Sequence, residues 1–178
     1  MIKAIIFDCF GVLVINGVEV FERKYLNNDP SKHTQVRQQE DLLNSGKIDL
    51  NSFVINLAKI GNVSAEETQK IIDDNPPDDE LFDFIRTQLK PKYKIGLLSN
   101  AGDDWLEEMA GADNKRLFDA IVLSYKYGFI KPQPQIYQQI IDDLGVNADE
   151  CIMIDDNLEY CDGAKNVGMH AIRYKTLA

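Results

Sequence analysis

Four short stretches of this chain carry chemistry-bearing side chains, each following an apolar run: Asp8-Cys9-Phe10-Gly11-Val12, Ser99-Asn100, Lys131-Pro132 and Asp155-Asp156-Asn157. A carboxylate such as Asp8 can attack phosphorus and form an acyl phosphate, splitting one hard step into two. Attack by an anion on a phosphate dianion requires that their repulsion be cancelled. Mg²⁺, an oxygen-seeking ion, can be held by Asp8 and Asp156 while bridging to the substrate. The Lys131 ammonium would offset charge on the transferring oxygens. Ser99 and the adjacent backbone amides would donate hydrogen bonds to them.

Taken singly, each of these residues has an ordinary explanation. An aspartate after a strand is commonly a turn or N-cap residue. Lys-Pro is commonly a solvated loop, and paired aspartates before an asparagine commonly form a turn. Convergence outweighs those defaults, because open α/β sheets gather ligands at the carboxyl ends of their strands. Asn100 either assists through its backbone or only shapes the turn, and both readings stay open. His33 sits in a polar stretch and His170 begins an inferred strand, neither with an evident partner. Cys9 flanks Asp8, but residues alternate across a strand, so its side chain is expected to face the core. Arg23 and Arg37 read as solvated helix residues rather than substrate contacts.

The elements that must position these groups follow from periodicity. Ile2 to Phe7 is an almost continuous apolar run, as in a strand buried on both faces. Similar runs recur at Ile95–Leu98, Ala120–Leu123, Cys151–Ile154 and Ala171–Tyr174. Between the later runs lie helical patterns. Trp105, Leu106 and Met109 share one face; Ile136, Tyr137, Ile140, Ile141 and Leu144 share another, closed by Gly145. Strand–helix alternation of this kind implies a parallel sheet. The stretch from Gly17 to Gln88 contains no convincing strand. Val18, Phe21, Tyr25 and Leu26 suggest a helix that stops before Pro30. Leu50, Phe53, Val54, Leu57 and Ile60 form a helical stripe closed by Gly61. Ser64 with Glu67 is a capping box, Asn75-Pro76-Pro77 breaks the helix it opens, and Leu81, Phe82, Ile85 and Leu89 begin another. The expected fold is therefore α/β: a Rossmann-like parallel sheet core (residues 1–16 and 89–178) with an inserted helical module (residues 17–88).

The bulk properties narrow the partners. A length of 178 residues suits one α/β domain with a small insert. A formal charge of −10 argues against nucleic acid, since no basic stripe would neutralise phosphates. It also repels anionic substrates at long range, so the pocket itself must supply positive charge. No apolar run approaches a membrane span. Residues 1–7 lead straight into Asp8 with no signal-peptide pattern, so no membrane partner is expected and a cytoplasmic location is. Cys9, Cys151 and Cys161 have no metal-like spacing, which fits a reducing compartment. Oligomeric state is not legible.

The stretches "IIFDCFGVL", "GLLSN", "GFIKPQPQIY" and "CIMIDDN", in this order, resemble the four motifs of the haloacid dehalogenase superfamily. The branch they are most similar to carries a helical cap inserted after the first motif. The resemblance implies Asp8 as nucleophile, Ser99 as the motif-two hydroxyl, Lys131 as the motif-three lysine and Asp155/Asp156 as the metal-binding pair. It also implies Mg²⁺ as cofactor, a small phosphorylated substrate, and residues 17–88 as the cap.

Phe10 departs from that pattern. Phosphatases of the superfamily usually carry a second aspartate there, which protonates the leaving alkoxide and then deprotonates water. A benzyl group does neither, and general acid–base help is typically worth about 10² to 10⁴ in rate. The family pattern takes a metal ligand from the backbone carbonyl here, which Phe10 retains. The departure raises a rival, because haloacid dehalogenases proper have an aromatic residue at this position, and Tyr137 also looks like a dehalogenase position. Those enzymes work without metal and carry Ser and Asn where this chain has Asp155-Asp156. Two adjacent carboxylates near an anionic haloacid would cost binding without a cation between them, so the phosphatase reading is favoured. A third reading is a catalytically impaired phosphate-binding or regulatory module.

Overall fold

The computed structural model describes residues 1–102 and 106–175. Five parallel strands form one sheet: β1 (Ala4–Phe7), β2 (Lys94–Ser99), β3 (Ala120–Leu123), β4 (Cys151–Asp155) and β5 (His170–Arg173), in the order 3-2-1-4-5. Helices α1 (Gly17–Tyr25), α2 (Pro30–Asn44), α3 (Leu50–Gly61), α4 (Ala65–Asp73) and α5 (Asp79–Phe84) lie between β1 and β2 in sequence. Short α6 (Leu106–Ala110) and α7 (Ala112–Lys115) precede β3, α8 (Pro134–Leu144) precedes β4, and α9 (Leu158–Asn166) joins β4 to β5. The expected α/β class and all the expected strands are present, each shifted by at most a residue or two at its ends.

β1 is apolar throughout because both its faces are covered. Ile5 and Phe7 join one buried cluster with Ile95 and Leu97, while Ala4 and Ile6 join another with Leu98 and Met153. The helix face read from Ile136, Tyr137, Ile140, Ile141 and Leu144 is buried in the second cluster, and Gly145 closes α8 at φ 63°. Leu106 is buried as expected; its proposed neighbour Trp105 and the Met109 side chain lie outside the described residues. Cys9 is buried with the first cluster, and all three cysteines are unpaired.

Helices α1 to α4 share a small core of their own, built on Phe21, Leu26, Val36, Phe53 and Leu57. Phe82 of α5 and Ile85 just after it instead pack with the sheet. Three local expectations need correction. Helix α2 has no counterpart in the sequence reading, because Val36 is its one buried residue and polarity hides its period. Asn62, not Gly61, adopts the left-handed conformation that ends α3. Ser64 caps α4 through the Glu67 amide, but the Glu67 carboxylate turns to Lys24 and Tyr25 instead of closing the box. His33 has a partner after all, Glu22 of α1 at 2.9 Å, while Arg23 and Arg37 are exposed. Among the described residues no helix is long and apolar enough to cross a membrane.

Candidate active site

Strand register sets the site. Phe7 is level with Leu97 on one side and Ile154 on the other, so Asp8 leaves the sheet beside Leu98–Ser99 and Asp155. Its amide donates to the Ile154 carbonyl at 2.8 Å. The chain then turns sharply. The Cys9 carbonyl accepts from the amides of Val12, Leu13 and Val14, and Gly11 stands at φ 81°. A Cβ on Gly11 would lie 2.7 Å from Asp156 Oδ2, so only glycine lets the two loops approach this closely.

Lys131 binds the site together. It is 1% exposed, and its Nζ reaches Asp8 Oδ1 at 2.8 Å and Asp155 Oδ2 at 2.7 Å. Burial alone would discharge this ammonium, yet the two carboxylates more than offset that and raise its pKa. Its backbone is held as well. Asn100 Oδ1 accepts from the Lys131 amide at 2.7 Å, and Asn100 Nδ2 donates to the Lys131 carbonyl at 3.1 Å. The Asn100 side chain is thus spent on positioning the lysine loop. Ser99 is fully buried at the end of β2, where its Oγ makes, among the described residues, a single 3.5 Å contact, with the Asn100 carbonyl.

The carboxylates differ in what they have left to offer. Each Asp155 oxygen already has a donor: Oδ2 takes Lys131, and Oδ1 takes the Asn157 amide at 2.9 Å. Asp8 Oδ1 takes both Lys131 and the Cys9 amide at 2.7 Å, leaving Oδ2 without a donor among the described residues. Burial, then the Asp155 charge, pushes the Asp8 carboxyl up to about 7 despite Lys131. Asp156 is raised too, first by burial and then by Asp155. Oxygens of Asp8, Asp155 and Asp156 all lie within 4.8 Å of one another. Three carboxylates against one ammonium is a surplus of negative charge, and an all-oxygen donor set suits a hard divalent cation such as Mg²⁺. Phe10 packs its ring against the cluster under the sheet, in keeping with its lack of acid–base chemistry.

Two groups at or beside this centre, Tyr160 and Ser124, escaped the sequence reading. Tyr160, on the first turn of α9, places its ring 4.8 Å from Lys131 Nζ. Tyr137, singled out earlier for its spacing, is buried and donates its hydroxyl to the Tyr160 carbonyl at 2.8 Å, so that hydroxyl fixes α9. Ser124 links the layers: its Oγ donates to the Asn44 carbonyl at 2.8 Å and accepts from the Ala101 amide at 2.9 Å. The end of α2 is thereby pinned to the loop that follows Ser99 and Asn100. Two carboxyls of the inserted helices are raised mainly by burial and then by charges from this side of the sheet, Glu19 by Asp156 and Asp41 by Glu159.

Residues 2–168 match the family model described as haloacid dehalogenase-like hydrolase. A glyceraldehyde 3-phosphate phosphatase of Pyrococcus abyssi is 32% identical over 87 residues, 47% of this chain and 36% of that protein. The match thus spans only about a third of that curated relative's length. An (S)-2-haloacid dehalogenase of Xanthobacter autotrophicus is 28% identical over all of this chain and 77% of its own length. Among solved structures, a HAD family enzyme of Bacteroides thetaiotaomicron, in complex with magnesium and inorganic phosphate, superposes with a TM-score of 0.74. It is 23% identical, and the superposition covers 100% of this chain and 96% of that one, a likeness of fold.

Proposed function

The chain belongs to the haloacid dehalogenase-like hydrolases, and on that premise we propose that it is a cytoplasmic, Mg²⁺-dependent phosphatase of small phosphorylated metabolites. The observation that carries this reading is the buried carboxylate–ammonium–carboxylate array. Lys131 bridges Asp8 and Asp155, and Asp156 adds a further negative charge within ligand distance. Asp8, Asp156 and the Phe10 carbonyl would hold the ion, with Asp155 behind them, already engaged with Lys131. When bound, Mg²⁺ supplies positive charge that lowers the Asp8 pKa and draws a phosphate into the site.

The residues divide the remaining work. Asp8 Oδ2 attacks phosphorus and the bond to the leaving oxygen breaks, giving an aspartyl phosphate that water then hydrolyses. Lys131 keeps its charge because its carboxylate partners hold it, and it faces the transferring oxygens. Ser99 and the amides beyond Asp8 donate to those oxygens. Asn100 holds the lysine loop in register. Helices α1 to α4 act as a cap over the site, excluding water and selecting the substrate, with Ser124 tying α2 down.

The dehalogenase reading draws on Phe10 and on the Xanthobacter relative. Against it stand the acidic pair and the commitment of the Tyr137 hydroxyl to a backbone carbonyl. A panel of small phosphate monoesters and 2-haloacids, assayed with Mg²⁺ and with chelator, separates the two. The expected result is phosphate release that chelator abolishes and Mg²⁺ restores. Asp8→Asn, nearly isosteric but a poor nucleophile, should abolish it while the fold is retained. Halide release indifferent to chelator would overturn the phosphatase reading, and full activity in Asp8→Asn would overturn the role of Asp8.

A further inference from the structure

Phe10 leaves the proposed reaction without a proton source beside Asp8, yet a proton-bearing group, Tyr160, holds its ring 4.8 Å from Lys131 Nζ. Tyr160 follows Asp156 by four residues, and its hydroxyl oxygen lies 3.4 Å from Asn100 Nδ2. Asn100 can only donate through that nitrogen, so the tyrosine oxygen accepts and keeps its own proton. That proton meets no acceptor among the described residues. The side chain is also rigidly presented. Tyr137 holds the Tyr160 carbonyl, and α9 packs so closely there that a Cβ on Gly163 would lie 2.8 Å from the Tyr137 hydroxyl oxygen. Such support is what keeps a reactive group within working tolerance.

Building on the phosphatase reading, we propose that the Tyr160 hydroxyl is the proton donor to the leaving oxygen, in the role Phe10 cannot fill. As the Asp8–phosphorus bond forms and the ester P–O bond breaks, the electron pair passes to the leaving oxygen, which takes the phenolic proton. The alcohol departs and a phenolate remains beside the Lys131 ammonium, which stabilises it. In the second step water attacks phosphorus, gives its proton to the phenolate and releases inorganic phosphate from Asp8. Both residues return to their starting states.

The acidities agree with this direction of transfer. Burial, opposed by the Lys131 charge, pushes the Tyr160 phenol up to about 12, so it enters each cycle protonated. An alkoxide is about as basic as hydroxide, whose conjugate acid has a pKa of about 15.7, so it takes the proton downhill. A nitrophenolate is so much less basic that it leaves unaided.

The test compares kcat/KM on an alkyl phosphate and on 4-nitrophenyl phosphate, with Mg²⁺, in wild type and Tyr160→Phe. This ratio reports only the steps through leaving-group release. The variant loses one oxygen whose sole hydrogen bond among the described residues is the 3.4 Å contact with Asn100, so the fold is not at stake. The alkyl value should fall by about 10² to 10⁴, as for loss of a general acid. The aryl value should stay within about threefold, while a burst of nitrophenolate reveals the slowed second step. Equal losses on both esters would make Tyr160 merely structural, and no loss on the alkyl ester would place the donor elsewhere. Either outcome overturns the tyrosine while leaving the phosphatase standing. A wild type inactive on every phosphate ester would overturn both.

Discussion

Replacing Lys131 with methionine keeps the side-chain volume but removes the ammonium that touches both Asp8 and Asp155. Breaking a buried ion pair by deleting one partner costs about 3 to 5 kcal/mol, because the other charge stays buried without compensation. Against a total stability of about 5 to 15 kcal/mol this is a large fraction. The pH dependence identifies the cause. In the metal-free wild type, Asp8 is raised from 3.8 to about 7. From pH 3.8 upward the folded state therefore binds more protons than the unfolded chain, and stability declines until pH passes about 7. Without Lys131 the Asp8 pKa rises further and the decline continues to higher pH. The gap between the two proteins should widen by about 1.4 kcal/mol for each pH unit in which Asp8 is neutral in the variant and ionised in the wild type. Urea denaturation in chelator at pH 6, 7.5 and 9 measures this directly. A variant within about 1 kcal/mol of wild type at all three values would refute the assignment of Lys131 as the compensating charge.

The other expectations can be checked with the same preparations. Asp156→Ala should weaken Mg²⁺ binding by at least about tenfold in a calorimetric titration. Asp155→Ala should weaken it less, because Lys131 keeps its partner Asp8 and Asp8 and Asp156 both remain. Glu40 of α2, half-buried, is pushed up to about 8 by burial and then by the Glu22 charge. Its raised pKa makes the fold lose stability as pH climbs from 4.5 to about 8. Glu40→Gln should therefore match the wild type near pH 4 and exceed it by about 2 to 4 kcal/mol at pH 9, allowing for solvent screening. An unchanged difference across that range in chemical denaturation would show that Glu40 titrates normally.

Much of this molecule is written locally in its chain. Apolar runs of four to six residues predicted the strands, most plainly β1 and β2, because a strand buried on both faces has no polar alternative, whereas β5 is largely exposed. The parallel sheet then brought Asp8, Ser99, Lys131 and Asp155–Asp156 to one edge, since strand ends of matched register must meet. Other features depend on neighbours far away in sequence, which no local pattern encodes. The polar helix α2 is held by contacts such as Ser124 with Asn44, eighty residues apart. Glu67 abandons its own helix N-terminus because Lys24 and Tyr25, brought near by packing of α1 on α4, offer a better partner. Asn100 and Tyr137 carry types and spacings that suit substrate contacts, yet their polar atoms are spent on the backbone of Lys131 and Tyr160. Tyr160 itself looks like an ordinary residue near a helix start until the folded chain sets its ring over Lys131. Periodicity reports which face of an element is buried, whereas the partner of each polar atom is chosen only when distant segments dock and every buried donor or acceptor must find a mate.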